Sequence, residues 1–307
     1  MKWRKLGLIY CPSGKHGWDK YSAMTPTPVI LDNETIRVYV SFRDDEGKGR
    51  IGFVDVKADN PSIVLNVSKK PVLDVGVSGA FDDNGVILGD IIKHKNQIRM
   101  YYVGFQLVKK AKFLAFSGLA ISYNEGKTFE RISNAPILDR YKDEIYIRAI
   151  HCVRFEEGIW KVWYAAGNSW EYINGKPYPR YDIRYIESPD GINFYNNTST
   201  VCISPERDEY RIGRPRVYKF NDKYYMFYTK GTKKGDYLAG YAESVDGKKW
   251  VRKDDEIGIG LSKDGWDSKM LCYPSLLQHK DKVYMFYNGN DMGKTGFGYA
   301  ILEKWRG

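Results

Sequence analysis

The chain has 307 residues, a formal net charge of +10 and 15% aromatic residues. That length suits one large all-β domain, expected over 1–307, since no Pro/Gly/Ser linker or composition break divides it. No segment could span a membrane. The lysines are scattered over turns such as KKAK, KGTKKG and DGKK rather than gathered into a nucleic-acid footprint. Neither a membrane nor a nucleic-acid partner is therefore expected, while the surplus charge suits attraction of an anionic ligand.

The opening segment, MKWRKLGLIYCP, is basic, but its apolar run is too short for a signal peptide, so a cytoplasmic protein is expected. One pattern then recurs through the whole chain. An aromatic strand reads IRVYVSF at Ile36–Phe42, IRMYYVGF at Ile98–Phe105 and WKVWYAA at Trp160–Ala166. It returns as YYMFYTKG at Tyr224–Gly231 and VYMFYNG at Val283–Gly289. Each is followed by a second apolar strand: GRIGFVDV, FSGLAIS, YDIRYIES, LAGYAES and GFGYAIL. Three of these lead into a turn and another aromatic, as NEGKTF, PDGINF and VDGKKW. The period is roughly sixty residues, with no helical spacing inside. A four-stranded unit of this kind cannot bury both faces alone, whereas five arranged radially can. The expected fold is an all-β, five-bladed propeller.

Each blade should hold strands A to D from axis to rim. The last repeat supplies only three. Lys2-Trp3-Arg4-Lys5 resembles Trp250-Val251-Arg252-Lys253, which opens the D strand of the fourth blade. The N-terminal strand, near Trp3–Ile9, is therefore expected to complete the last blade beside Gly298–Leu302, leaving no open edge. Cys11, Cys152, Cys202 and Cys272 are far apart and have no metal spacing. Free thiols are expected, buried for Cys152 and Cys272. His16, His94 and His279 stand in turn-like contexts and are expected to be solvated.

The repeat also locates a site. Antiparallel A and B strands put the starts of A and the ends of B on one face. The B ends carry Arg43-Asp44-Asp45, Gln106, Asn168, Lys230, Asn288 and Asn290. The A starts carry Asp82-Asp83, Asp143-Glu144 with Arg148, Asp208-Glu209 with Arg211 and Arg214, and Asp267 with Tyr273. Carboxylates, arginines, carboxamides and aromatics around one mouth suit a sugar, whose hydroxyls need donors and acceptors and whose apolar face stacks on rings. Blade by blade, one inner column reads Val29, Asp90, His151, Arg216 and Ser275. It lines either a wet central channel or a site floor containing Asp90 and His151. Asp19, Asp82 and Asp267 each follow an aromatic, a repetition that favours loop ties, at least for Asp19 and Asp82. No phosphate-binding Gly-rich motif or nucleophile elbow is present.

The segments SFRDDEGKGRIGFVDV, SGAFDDNGVILGDI, IGRPRVYKFNDKYYMFYTKG and GWDSKMLCYPSLLQHKDKVYMFYNGNDMGKTGFGYA resemble the five-bladed propeller glycosidases. That group includes arabinanases and β-xylosidases, invertases and levansucrases, and mannoside phosphorylases. The resemblance covers almost the whole chain and implies carboxylates from different blades around a central funnel. It implies an early Asp on the first inner strand, where this chain has Met24-Thr25-Pro26-Thr27-Pro28. It gives the fourth-blade acid a counterpart in Glu209. Arg148, Arg211 and Arg214 resemble the phosphate-handling lining of the phosphorylase branch. Three activities follow as alternatives: a glycosidase-like enzyme, a glycoside phosphorylase and a non-catalytic carbohydrate-binding propeller. In the enzymatic readings Asp83, Glu144 and Glu209 are the acid/base candidates. Arg43, Asp44, Asp90, Arg148, His151, Asn168, Arg211, Arg214, Asp267, Tyr273, Asn288 and Asn290 are the substrate-binding candidates. The expected partner is a carbohydrate or sugar phosphate. No cofactor or metal is called for, although funnel carboxylates could hold Ca²⁺.

Overall fold

The computed structural model describes residues 1–194 and 199–305. It is built from antiparallel units laid out in chain order. The first contains β2 (Tyr21–Ile30), β3 (Thr35–Arg43), β4 (Gly49–Lys57) and β5 (Asn60–Val67), with β1 (Lys2–Tyr10) preceding them. The second holds β6 (Val86–His94), β7 (Gln97–Gln106), β8 (Leu114–Ser122) and β9 (Glu130–Arg131). The third holds β10 (Ile147–Glu156), β11 (Ile159–Ile173), β12 (Lys176–Ser188) and β13 (Thr200–Ile203). The fourth holds β14 (Glu209–Phe220), β15 (Lys223–Thr232), β16 (Tyr237–Ser244) and β17 (Val251–Arg252). In the fifth, β18 (Met270–His279), β19 (Lys282–Asn288) and β20 (Phe297–Lys304) take β1 as their outer strand. The protein is a five-bladed β-propeller.

The aromatic strands explain the radial arrangement. Successive side chains on a strand point to opposite faces, and here both faces are apolar. On β7, Met100 and Tyr102 pack toward the first blade, while Tyr101 packs toward the third. On β19, Met285 and Tyr287 face the fourth blade, while Tyr284 and Phe286 face the first. Five buried clusters result, one in each wedge between adjacent blades. The wedge between the fifth and first blades joins Tyr284, Phe286, Phe297 and Tyr299 to Val38, Val40, Phe42 and Val54.

Polar tips on the aromatics stitch neighbours together. Tyr39 donates to the Gly126 carbonyl at 3.0 Å, Tyr101 to Gly191 at 2.9 Å and Trp163 to Gly247 at 2.8 Å. Each acceptor is the glycine of the NEG, PDG or VDG turn in the next blade. These glycines have φ of +74° in all three turns, where a side chain would be strained. In the other two blades Phe227 and Phe286 occupy the column, and the blade that follows each of them lacks such a turn.

Closure uses β1 as expected. It pairs antiparallel with β20, with Trp3 opposite Leu302 and Leu8 opposite Gly298. Trp3 is 7% exposed, lies in the wedge between the fourth and fifth blades, and donates through Nε1 to the Ile257 carbonyl at 3.0 Å. Leu6 and Ile9 pack into the wedge on the other side. Asn288 adds a second link. It is fully buried, accepts from the Thr25 N–H at 2.8 Å, and donates to the Ala23 carbonyl.

All four cysteines are free, and Cys152 and Cys272 are buried. His16 is exposed, as expected, whereas the other two differ. His279 is buried and stands 3.2 Å from Asp59, while the ring of His94 meets Phe155 and Trp160 edge-on. Turn positions in a propeller abut the neighbouring blade, so they need not be wet.

If β1 latches the ring, Trp3→Ala should cost about 3–5 kcal/mol, the usual range for deleting a buried indole. Equilibrium urea unfolding measures this directly. A loss under about 1 kcal/mol, the scale of one surface contact, would mean that β1 is dispensable.

Candidate functional site

The inner strands carry the irregularities that shape the site. Each has a break in register midway: Met24/Thr27, Leu88/Asp90, Ile150/Cys152, Gly213/Arg216 and Cys272/Ser275. Bulges re-aim side chains. Three of the bulged residues, Thr25, Arg214 and Tyr273, have φ of 58°, 56° and 55°. Such left-handed backbone at non-glycine residues persists where the surroundings over-determine it. All three line one cavity of about 390 Å³ at the end of the channel where A strands start and B strands end.

The cavity wall has two unlike sides. Blades two and three contribute Ile87, Val103, Phe105, Phe113, Ala149 and Ala165. Blades four and five contribute Arg211, Arg214, Tyr237 and Tyr273, with Tyr181 adjoining them. Arg43 and Lys112 also line it, as do His151, Asn84 and Met292. No Asp or Glu belongs to the wall among the described residues.

Arg211 is the most informative member. Its guanidinium lies 4.4 Å from the Tyr237 ring centroid and 4.9 Å from that of Tyr210. Its Nη2 meets the Met292 sulfur at 3.9 Å, and its Nε is buried with no hydrogen-bond partner among the described residues. Burial disfavours its charge, but the surrounding tyrosines, Tyr237 foremost, outweigh this and raise its pKa. Arg211 therefore stays a cation, and no carboxylate pairs with it among the described residues. A bridge between blades sets the cage. The start of β12 runs parallel to β14, placing Tyr181 beside Arg211.

Arg214 reaches across the channel. It donates to the Leu88 carbonyl of blade two and, at 3.5 Å, to the Thr25 carbonyl of blade one. Burial, then Arg216, pulls its pKa down. Beneath it Arg216 pairs with Asp90, whose other oxygen accepts from the Val153 N–H at 2.7 Å. Asp90 is thus the counter-ion of a channel plug and not a wall residue. His151 does line the cavity. Its Nδ1 accepts from the Arg214 N–H at 3.2 Å, which leaves the proton on Nε2. Burial, with Arg214 and Arg216 nearby, lowers its pKa and keeps it neutral.

The acid/base candidates lie elsewhere. Glu144 is 5% exposed and accepts from Tyr164 at 2.8 Å, Arg184 at 2.9 Å and Ser199 at 2.9 Å, with Arg148 Nε at 2.6 Å. Glu209 takes a two-pronged contact from Arg252 at 2.9 and 2.7 Å. Arg252 also holds Asp254 at 2.7 Å, and Tyr228 donates to Asp254. The same arrangement recurs as Asp82 with Arg131 beside Tyr102, and as Asp267 with Lys5 and Tyr287. Four blades thus bury a carboxylate, a cation and the last tyrosine of the B-strand motif together. In the first blade Phe42 holds that position, and Asp19 is tied instead to the backbone and ring of His16. These groups hold loops to strands, and Arg148 and Asp267 are consumed in them.

Asp83 belongs to neither class. Its Oδ2 accepts from the Gly79 N–H at 2.9 Å, while its Oδ1 is buried without a partner, one residue from the wall residue Asn84. Asp44 caps its own turn and pairs with Arg50. Asn168 is exposed. Asn290 accepts from the Lys269 and Met270 N–H groups, bracing the loop that carries Met292. Of the side chains expected at that mouth, Arg43, Arg211, Arg214 and Tyr273 line the cavity, whereas Asn168 and Asn290, for example, do not. Tyr181 and Tyr237 went unanticipated. Tyr237 begins β16 and Tyr181 lies in the first half of β12; both are C strands, which run antiparallel to B and so enter from the same mouth.

The Asp254 network predicts acid sensitivity. Burial pushes its carboxyl up, but Lys230, Tyr228, the Tyr241 N–H and Arg252 together hold it at about 2. The folded value lies below the ordinary 3.8, so this stabilisation is complete above that value and is lost as pH falls toward 2. Urea midpoints measured from pH 6 down to pH 3 should fall less steeply in Asp254→Asn than in wild type. Parallel slopes would contradict the assignment.

No protein-family model matches the chain. It is 32% identical over 304 residues to the uncharacterized protein Rv1502 of Mycobacterium tuberculosis, covering 99% of this chain and 100% of that one. A β-1,2-mannobiose phosphorylase from a Thermoanaerobacter species is 32% identical over 108 residues, 32% of this chain and 36% of the enzyme. Among solved structures, a protein of the GH130 family of mannoside phosphorylases and glycoside hydrolases superposes with a TM-score of 0.70 at 14% identity, covering 99% of this chain and 94% of that one. The chain belongs to the same family as Rv1502, and its fold is that of the solved glycoside hydrolases and mannoside phosphorylases on which it superposes.

Proposed function

We propose that the cavity binds a glycoside bearing an anionic group, phosphate or carboxylate, with Arg211 as the principal anion ligand and Arg43 lining the same cavity. The observation that carries this reading is the cation-lined wall, to which the described residues bring no carboxylate and in which they leave the buried Arg211 Nε without a partner. A desolvated guanidinium caged by rings gains most from a planar or tetrahedral oxyanion, which can accept from two of its donors. Arg214 and Lys112 add positive potential, and neutral His151 offers an Nε2–H. Tyr237 and Tyr273, with ring centroids 5.5 Å apart, supply faces for a sugar ring.

Hydrolysis by a carboxylate pair has little support here. It needs an acid and a second carboxylate flanking the bond, and Glu144 and Glu209 are held in ion pairs away from the wall. Phosphorolysis remains as a second reading because of Asp83. One protein acid suffices when phosphate is the nucleophile, and Asp83 has a buried free oxygen next to the wall. The relationship to a mannobiose phosphorylase over part of the chain points the same way.

Thermal-shift titration with inorganic phosphate at constant ionic strength tests the anion site. Wild type should gain several degrees at saturation through preferential binding to the folded state. Arg211→Leu should lose that gain, while Lys233→Ala, on an exposed turn, should keep it. Equal responses in wild type and Arg211→Leu would overturn the assignment. Aryl glycosides should stay intact in phosphate-free buffer; cleavage only with phosphate, abolished in Asp83→Asn, selects phosphorolysis.

A further inference from the structure

We infer that the ligand is amphipathic: an anionic ester or acid whose other end is apolar, such as an aryl or alkyl group or a sugar with blocked hydroxyls. This rests on the anion-site reading above and assigns the opposite wall. There the second and third blades present Ile87, Val103, Phe105, Phe113, Ala149 and Ala165. Val103, Ala149 and Ala165 form one apolar cluster with Ala115 and Ile147, against which Phe105 and Phe113 pack. The two phenyl rings meet edge-on at 5.2 Å, and Phe113 meets Trp170 behind the wall at 5.3 Å.

Beside these apolar residues, blade two also brings Asn84 and the exposed Lys112 to the wall, and blade three brings His151, Tyr178 and Tyr181. The Asn84 carbonyl oxygen already accepts from the Leu107 N–H at 3.0 Å. A bare pyranose carries hydroxyls around its whole rim, and burying one without a partner is costly. An apolar group loses nothing there and gains by leaving water. The buried Arg214 and the tyrosine-caged Arg211 stand with Tyr237 and Tyr273 in blades four and five. The stretch built by Val103, Phe105, Phe113, Ala149 and Ala165 is thus apolar, and it orients a ligand with its apolar end there and its charge toward Arg211.

Isothermal titration with probes that share a phosphate head separates the two halves of the argument. The probes are inorganic phosphate, glucose 1-phosphate, phenyl phosphate and, as an uncharged control, phenyl β-glucoside. Phenyl phosphate should bind at least tenfold more tightly than glucose 1-phosphate. Phe113→Ser, at a half-buried position, and Ile87→Thr should each weaken phenyl phosphate about fivefold or more and leave inorganic phosphate unchanged. Circular dichroism melting checks that both variants fold. Equal or tighter binding of glucose 1-phosphate, with phosphate still bound, overturns the amphipathic ligand and leaves the anion site standing. Binding of phenyl β-glucoside without binding of any phosphate compound overturns the anion site beneath it.

Discussion

A β-sheet with two apolar faces cannot stand in water, and every blade of this protein has two. The constraint is met only by putting another blade on each side, so the wedges must form a complete circle. That is why the B strands read as unbroken aromatic runs instead of alternating with polar residues. It is also why the outer strand of the fifth blade comes from the opposite end of the chain. β1 has no other sheet to join, and Trp3 fills a wedge that the fourth and fifth blades leave between them. The hydrogen bonds from Tyr39, Tyr101 and Trp163 to the next blade's turn fix the angular spacing that the wedges alone would set only by volume.

The ring also decides which charges are free to act. Loops crossing between blades bury polar atoms, and the recurring solution is a carboxylate clamped by a cation beneath a tyrosine. Glu144, Glu209, Asp82 and Asp267 all serve this purpose. In the channel, Asp90 is matched to Arg216. After these pairings, Arg211, half-buried and with its Nε fully covered, is a cation at the mouth whose charge the described carboxylates leave unmatched, while the carbonyls of Leu88 and Thr25 engage Arg214. The excess of positive charge visible in composition is thereby focused at one place, where low-dielectric walls make it count for more.

Much of this was legible in the residues. The five repeats gave the fold, and the missing fourth strand of the last blade gave the closure through Trp3–Ile9. The shared end of A starts and B ends located the mouth and brought Arg43, Arg211, Arg214 and Tyr273 to it. The same logic extended to C starts would have found Tyr181 and Tyr237. The fate of the carboxylates was less accessible. Glu144 and Glu209 stand in equal-length repeats, DEIYIRAIHCVRF and DEYRIGRPRVYKF, and repetition is the mark of a structural role. Their arginine partners, Arg184 and Arg252, lie on other strands at separations no local motif reveals. The apolar wall was hidden for a similar reason. Ala149 and Ala165 read as ordinary core residues until the ring places them around an opening.

Such a site departs from the usual picture of a sugar pocket, in which carboxylates and carboxamides answer each hydroxyl. Here a guanidinium in a tyrosine cage faces an aliphatic and phenyl wall across about 390 Å³. The fold is that of glycoside-processing propellers, while the chemistry of this particular wall favours charge recognition over proton transfer. A crystal structure of the protein grown with phosphate tests this account most directly. It should show the anion within hydrogen-bond distance of Arg211 Nε, facing Tyr237. An Arg211 paired with a carboxylate of its own chain, and phosphate absent from the cavity, would contradict it.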